Sequence, residues 1–105
     1  MKYIITESKL ENVVFRWLDE EFGDLDIIDS DRYPEDIQYE KNGDLVFNYN
    51  TRTHRVLINY STVWSYLKNL FGLSNKQIEE ITKKWIEDRY RIPVILTFTY
   101  THTSR

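Results

Sequence analysis

Residues 37–50 read IQYEKNGDLVFNYN, and this stretch decides the fold. Apolar and polar residues alternate on both sides of Asn42-Gly43, which is the period of a strand with one buried face. A two-residue Asn42-Gly43 loop would oppose Tyr39 to Val46 and break the alternation. A three-residue loop that begins at Lys41 keeps one face apolar, with Ile37, Tyr39, Leu45, Phe47 and Tyr49 on it. The stretch therefore predicts a β-hairpin with a three-residue loop and Gly43 in the left-handed conformation.

The chain before the hairpin predicts a strand, a helix and a loop. Lys2–Thr6 is β-branched and aromatic, which favours a strand. Ser8 and Glu11 form a capping box before an apolar stripe, and Gly23 ends that helix. Residues 24–36 are dominated by acids, so we expect a surface loop there.

The chain after the hairpin predicts a strand, two helices and a final strand. Arg55–Tyr60 has a buried-strand pattern. Ser61 or Thr62 begins a helix that is apolar around most of its circumference, and we expect this helix to be the most buried. Its apolar positions are Val63, Trp64, Tyr66, Leu67, Leu70 and Phe71. The third helix, with its own capping box, and the Thr-rich strand Val94–Thr101 complete the domain.

These elements predict one domain over residues 1–105, in the order β-α-β-β-β-α-α-β. The fold class is α+β, with a mostly antiparallel sheet of about five strands and three helices. Because the final strand carries alternating threonines, it is our candidate for an edge of the sheet.

Composition excludes several function classes. The chain has no Cys and three Gly, and it lacks the common hydrolase, nucleotide-binding and zinc-protease motifs. His54 falls in a predicted turn and His102 in the tail. We therefore expect no enzymatic activity, no cofactor and no metal site.

The N-terminal apolar run is too short for a signal peptide and no segment is long enough to span a membrane, so we expect a cytoplasmic protein.

An acidic stretch is the first candidate for a binding surface. Between Asp19 and Glu40 ten acids face a single base, Arg32. Neither register of the stretch satisfies a calcium loop, because the required Gly and third ligand are missing. The candidate partner-binding residues are Asp19, Glu20, Glu21, Asp24, Asp26, Asp29, Asp31, Glu35 and Asp36. Such a surface steers basic protein partners toward the chain.

The second candidate is the segment of residues 64–84, which resembles the helix-turn-helix family of DNA-binding proteins, with Gly72 in the turn. This resemblance implies that Ser74, Asn75, Lys76 and Lys83 face DNA. Lys68 occupies a position where the family has a small residue, and Glu79 and Glu80 would lie close to phosphates. The net charge of −3 also opposes phosphate binding, so nucleic acid is the less favoured partner.

The N-terminal sequence Tyr3-Ile4-Ile5-Thr6-Glu7-Ser8-Lys9-Leu10 resembles the start of many small proteins of tailed bacteriophages. Those proteins often begin I-[IL]-T-E-S-Q, and here Lys9 replaces the Gln. The resemblance implies a phage-encoded accessory protein or a minor virion component, located in the host cytoplasm or the virion. Together these observations predict a non-enzymatic protein-binding module, such as an inhibitor of a host factor, with self-association through a strand edge as a further possibility.

Overall fold

A computed structural model describes residues 7–29 and 33–99 of the chain. The helices are α1 (Glu7–Phe22), α2 (Ser65–Phe71) and α3 (Asn75–Tyr90), with a π-helical turn, Tyr60–Trp64, leading into α2. The strands are β1 (Asp26–Asp29), β2 (Asp36–Lys41), β3 (Asp44–Asn50), β4 (Arg55–Ile58) and β5 (Leu96–Phe98). The predicted strand Lys2–Thr6 lies outside the described residues.

The strands form one open sheet in the order β1-β2-β3-β4-β5. The first four pair antiparallel, and β5 pairs parallel to β4 after the chain crosses over through α2 and α3. This arrangement confirms the predicted α+β class, the three helices and the mostly antiparallel sheet. Within the described part of the chain, β5 lies at an edge, as predicted, although its Thr97 is buried and Leu96 is exposed.

The hairpin has a different loop from the one predicted. Lys41 pairs with Asp44, so the loop has two residues, and both Asn42 (φ 55°) and Gly43 (φ 87°) are left-handed. A bulge then lets one residue of β2 face two of β3, so that Tyr39 pairs with Phe47. The two-residue loop shifts the register by one and the bulge shifts it back, which keeps the two aromatic rings stacked at 4.3 Å on the buried face.

The region predicted as an acidic loop contains a strand. Asp26–Asp29 pairs with β2 through Ile27 opposite Tyr39 and Ile28 opposite Gln38. All four residues are exposed, so no alternation of buried and exposed positions marks the strand in the sequence. The acidic-loop prediction is therefore wrong for these residues, because backbone pairing with β2 rather than side-chain burial holds them in place.

The core lies between the sheet and the helices. Helix α3 buries one stripe, and α1 packs its own stripe beside it; the stripe of α3 is Ile78, Ile81, Thr82, Trp85 and Ile86. Ser74 caps α3, accepting from the Gln77 backbone while the Gln77 side chain accepts from the Ser74 backbone. This capping box was predicted. The helix predicted from Ser61 or Thr62 divides into the π-helical turn and α2. Its buried residues are Val63, Trp64 and Leu67, fewer than the five of α3, so the prediction that it is the most buried helix is wrong.

Candidate protein-binding surface

Aromatic side chains from α1 and α2 meet at the surface beside the sheet. The ring of Trp17 lies 6.0 Å from Phe71 and 6.3 Å from Tyr66, measured between centroids. On its own helix it contacts Phe22 edge-on at 5.6 Å. Trp17 is half-buried and thus joins the core to the solvent. The cluster continues onto α2, where the Tyr66 ring is exposed to solvent.

An open groove lies over this cluster. It has a volume of about 380 Å³, and its lining is Trp17, Glu21, Phe22, Lys41, Thr62, Tyr66 and Leu70. We call these residues the aromatic groove. Tyr66 is 52% exposed and Leu70 59%. Val13 lies one helical turn before Trp17 and extends the apolar face of α1 at 51% exposure. Large apolar side chains grouped in this way on a surface are typical of interaction sites.

A second cleft adjoins the groove at the C-terminal end of α1. Its volume is about 490 Å³, and its lining is Asp19, Glu20, Glu21, Gly23, Asp24, Asp26, Lys41, Asn42 and Arg89. We call these residues the acidic cleft. Five carboxylates face two cations there. The C-terminal carbonyls of α1 add their own negative dipole, so the cleft has a net negative potential.

Both cations of the cleft bind the end of α1. Lys41 Nζ donates to the Glu21 carbonyl at 2.7 Å, and Arg89 Nε donates to the Gly23 carbonyl at 3.1 Å. These bonds satisfy backbone acceptors that the end of a helix leaves open. Lys41 also lies 5.6 Å from the centre of the Phe22 ring. Because Glu21 and Lys41 line both the acidic cleft and the aromatic groove, the two form one continuous surface.

The predicted acidic residues divide into several environments. Asp19, Glu20, Glu21, Asp24 and Asp26 come together in the cleft. Asp29 lies at the far end of β1, Glu35 lies 3.7 Å from Arg52 in an ion pair, and Asp36 accepts from the Asn50 amide at 2.9 Å. Asp31 lies outside the described residues. The structure thus groups five of the nine predicted residues and disperses three of them.

Three of the four residues predicted to face DNA have other contacts. Ser74 caps α3, and Lys83 lies 3.6 Å from Glu87 in an ion pair. Asn75 Oδ1 accepts from Trp64 Nε1 at 3.2 Å and from Lys68 Nζ at 3.0 Å. Lys68, which occupies a position for a small residue, therefore joins α2 to α3. The exposed Lys76 has neighbours of opposite charge in Glu79 and Glu80 one turn on.

Among the described residues, the titratable side chains that lie in the core or pack against it are tyrosines. Burial raises the pKa of Tyr39 and of Tyr90, whose hydroxyl donates to the Phe22 carbonyl at 3.1 Å. Burial also raises the pKa of Tyr49, whose hydroxyl donates to the Pro93 carbonyl and lies 2.9 Å from His54 Nδ1. In the described residues, no three His, Asp or Glu side chains group as a metal site requires. The bonds of Tyr49 hold β3 to the turn before β4 and to the segment after α3, and the bond of Tyr90 holds α3 to the end of α1.

Sequence reasoning missed the aromatic groove. Tyr66 and Leu70 fit the apolar pattern of α2 and were predicted in the core, yet they are exposed. The signal available was compositional, since the chain has eight Tyr and three Trp, more large aromatics than a small core usually covers.

Comparisons with known proteins add no identity. No protein-family model, no curated protein and no solved structure matches this chain. Over residues 7–29 and 33–99, no helix has both the length and the hydropathy that crossing a membrane requires.

Proposed function

We propose that this chain is a non-enzymatic protein-binding module. The aromatic groove anchors an apolar side chain of the partner, and the acidic cleft receives basic residues that lie next to that side chain. The observation that carries the proposal is the face on which the half-buried Trp17 adjoins the exposed Tyr66 and Leu70. Tyr and Trp bury large areas at little entropic cost, and they dominate binding energies at protein interfaces.

Charge selects the class of partner. The carboxylates of the acidic cleft adjoin the groove through Glu21, so a partner that fills the groove brings its flanking residues against them. Basic flanking residues gain from this field and acidic ones are repelled. The proposed partner is therefore a basic, amphipathic protein segment. The N-terminal resemblance to phage proteins supports a role as an inhibitor of a host factor or as a minor virion component.

Binding to DNA through α3 stays a prediction. It requires Lys76 and Lys83 to contact phosphates, and Lys83 has an ion-pair partner in Glu87. Lys76→Glu combined with Lys83→Glu would abolish such binding.

The test is a tagged pull-down from host lysate with and without nuclease, repeated with surface variants. Tyr66→Ala with Leu70→Ala removes two exposed side chains of the groove. Tyr60→Ala with Ile95→Ala is the matched control, because these side chains are also exposed and lie outside both clefts. We expect the groove variant to lose a protein partner that the control and the wild type retain.

Two results would contradict the proposal. A partner that binds the groove variant as well as the control would place the contact elsewhere. If the captured partners disappear after nuclease treatment, and also when Lys76 and Lys83 are replaced by Glu, the helix-turn-helix function would be favoured. Circular dichroism and thermal melting of each variant establish that the fold is intact.

A further inference from the structure

The edge strand β1 has an unusual combination of exposure and charge. Ile27 is 58% exposed and Ile28 41%, although both are large and apolar. Asp26 and Asp29 close the strand at its two ends. Among the described residues, β1 pairs with β2 alone, so one of its edges presents backbone donors and acceptors outward.

A second copy of the chain is a poor occupant for this edge. Pairing β1 with another β1 would gather both pairs of carboxylates around four isoleucines, and like charges close across strands are destabilising. Acidic residues at a strand edge are also a known means of preventing self-association. A strand with basic residues would instead place opposite charges beside Asp26 and Asp29.

We propose that the outer edge of β1 receives an extended segment of a partner protein as an added strand. The segment has an apolar pair that covers Ile27 and Ile28, with a basic residue on each side of the pair. Backbone hydrogen bonds supply much of the affinity in this mode, and alternate side chains supply the specificity. The β1 edge shares Asp26 with the acidic cleft but no residue with the aromatic groove, so this proposal does not depend on a partner that binds in the groove.

The probe is a short synthetic peptide with two valines flanked on both sides by lysine. Fluorescence anisotropy measures its binding, and amide hydrogen exchange follows Asp26–Asp29. We expect binding together with slower exchange of the outward amides of β1. A peptide of identical charge with N-methylated valines should bind about tenfold more weakly or worse, because it cannot complete the strand pairing. No binding, or equal binding of the methylated peptide, would overturn the proposal.

Charge variants locate the contact. Asp26→Lys with Asp29→Lys should lose the lysine peptide and gain a matching peptide flanked by glutamates. Glu20→Lys with Asp24→Lys is the matched control, since it reverses the same charge in the acidic cleft without altering β1. If the control loses as much binding as the β1 variant, the cleft attracts the peptide and the strand-addition proposal fails.

Two further measurements make the result independent of the groove. Tyr66→Ala with Leu70→Ala should bind the peptide normally, so a failure of one proposal leaves the other standing. Sedimentation of the free protein should show a monomer with exchangeable β1 amides. Protected β1 amides, in a dimer or in the monomer, would show that the edge has another occupant.

Discussion

Trp85 Nε1 on α3 donates a hydrogen bond to Asp19 Oδ1 on α1 over 2.8 Å, although 66 residues separate them in sequence. The Trp85 side chain is 4% exposed, so its N–H has little access to water. Asp19 stands in the last turns of α1, where the helix dipole disfavours an acid. The bond explains why an acid is present there: it satisfies the indole and joins the two helices.

Replacing Asp19 should therefore destabilise the fold. Asp19→Ala leaves the Trp85 N–H without its acceptor, and we expect a loss of about 1–3 kcal/mol in the free energy of unfolding, partly offset by the removal of an acid from the helix end. Asp19→Asn keeps an acceptor and should recover much of the loss. Urea denaturation measures both, with Glu20→Ala as the control. Equal stability of Asp19→Ala and Glu20→Ala would show that the bond contributes nothing.

The buried tyrosines predict the response of stability to alkaline pH. Burial raises the pKa of Tyr39 and Tyr90, so the folded state holds these protons at a pH where the unfolded chain releases them. Unfolding then releases protons, and the free energy of unfolding falls as pH rises above about 10, through the folded-state values. Below that range the contribution is fully present.

Urea denaturation at about pH 8 and about pH 11 tests this response. Tyr39→Phe should reduce the loss of stability at high pH, because it removes one of the groups responsible. Tyr66→Phe is the control, since its ring is 52% exposed, and it should leave the loss unchanged. An identical loss in Tyr39→Phe and wild type would contradict the assignment.

Two threonines fasten β5 to α3. Thr82 Oγ1 lies 2.6 Å from the Ile78 carbonyl and 2.9 Å from Thr97 Oγ1, and Thr97 Oγ1 donates to the Glu79 carbonyl at 2.6 Å. Both side chains are 1% exposed. Removal of one hydroxyl leaves the other buried with one partner fewer, whereas removal of both leaves an apolar contact of similar shape.

A double-mutant cycle measures this coupling. Thr82→Val and Thr97→Val should each cost about 1 kcal/mol, and the double variant should cost less than their sum by about 0.5–1 kcal/mol. Thr82→Val with Ser65→Ala serves as the additive control, because Ser65 bonds to Ser61 within its own helical segment. Additivity in both pairs would mean that the two hydroxyls act independently.

Two glycines are required for different reasons. Gly72 has φ 64°, and a methyl group added there would meet only open space. Gly72→Ala should therefore lower the free energy of unfolding by about 1 kcal/mol, because alanine is strained in the left-handed conformation. A Cβ at Gly23 would meet the Asp19 carbonyl oxygen at 2.3 Å. Gly23→Ala should therefore cost more, on the order of 2–3 kcal/mol, and Gly72→Asn less than Gly72→Ala. Thermal and urea unfolding rank the three, and a reversed order would contradict this account.

Much of the fold follows from local sequence signals. The capping box of Ser74 and Gln77 and the helix stop at Gly72 involve residues within a few positions of each other. The hairpin was predicted at the right position, but its loop was wrong, and Leu45, which was predicted on the face of Tyr39, pairs with Glu40 instead. The bulge places Val46 in the core. The alternation of apolar and polar residues does not reveal this bulge, because the bulge depends on how the helices pack against the sheet.

The candidate site was predicted less well than the fold. The acids that line the cleft were named from the sequence because charge density is visible there. The aromatic groove was not predicted. An apolar stripe shows that a helix packs against other elements, but it does not show how much of the stripe those elements cover. Helix α2 has seven residues and turns Leu67 inward, so Tyr66 and Leu70 remain outside.

The sequence by itself determined the α+β class, the start of α3 and the hairpin position, because periodicity and capping act between residues close in the chain. The tertiary structure alone decided the β1 pairing, the bond between Trp85 and Asp19 and the exposure of Tyr66 and Leu70. Each of these depends on contacts between segments that are dozens of residues apart in the chain. The sequence of one element describes only one of the two surfaces in such a contact.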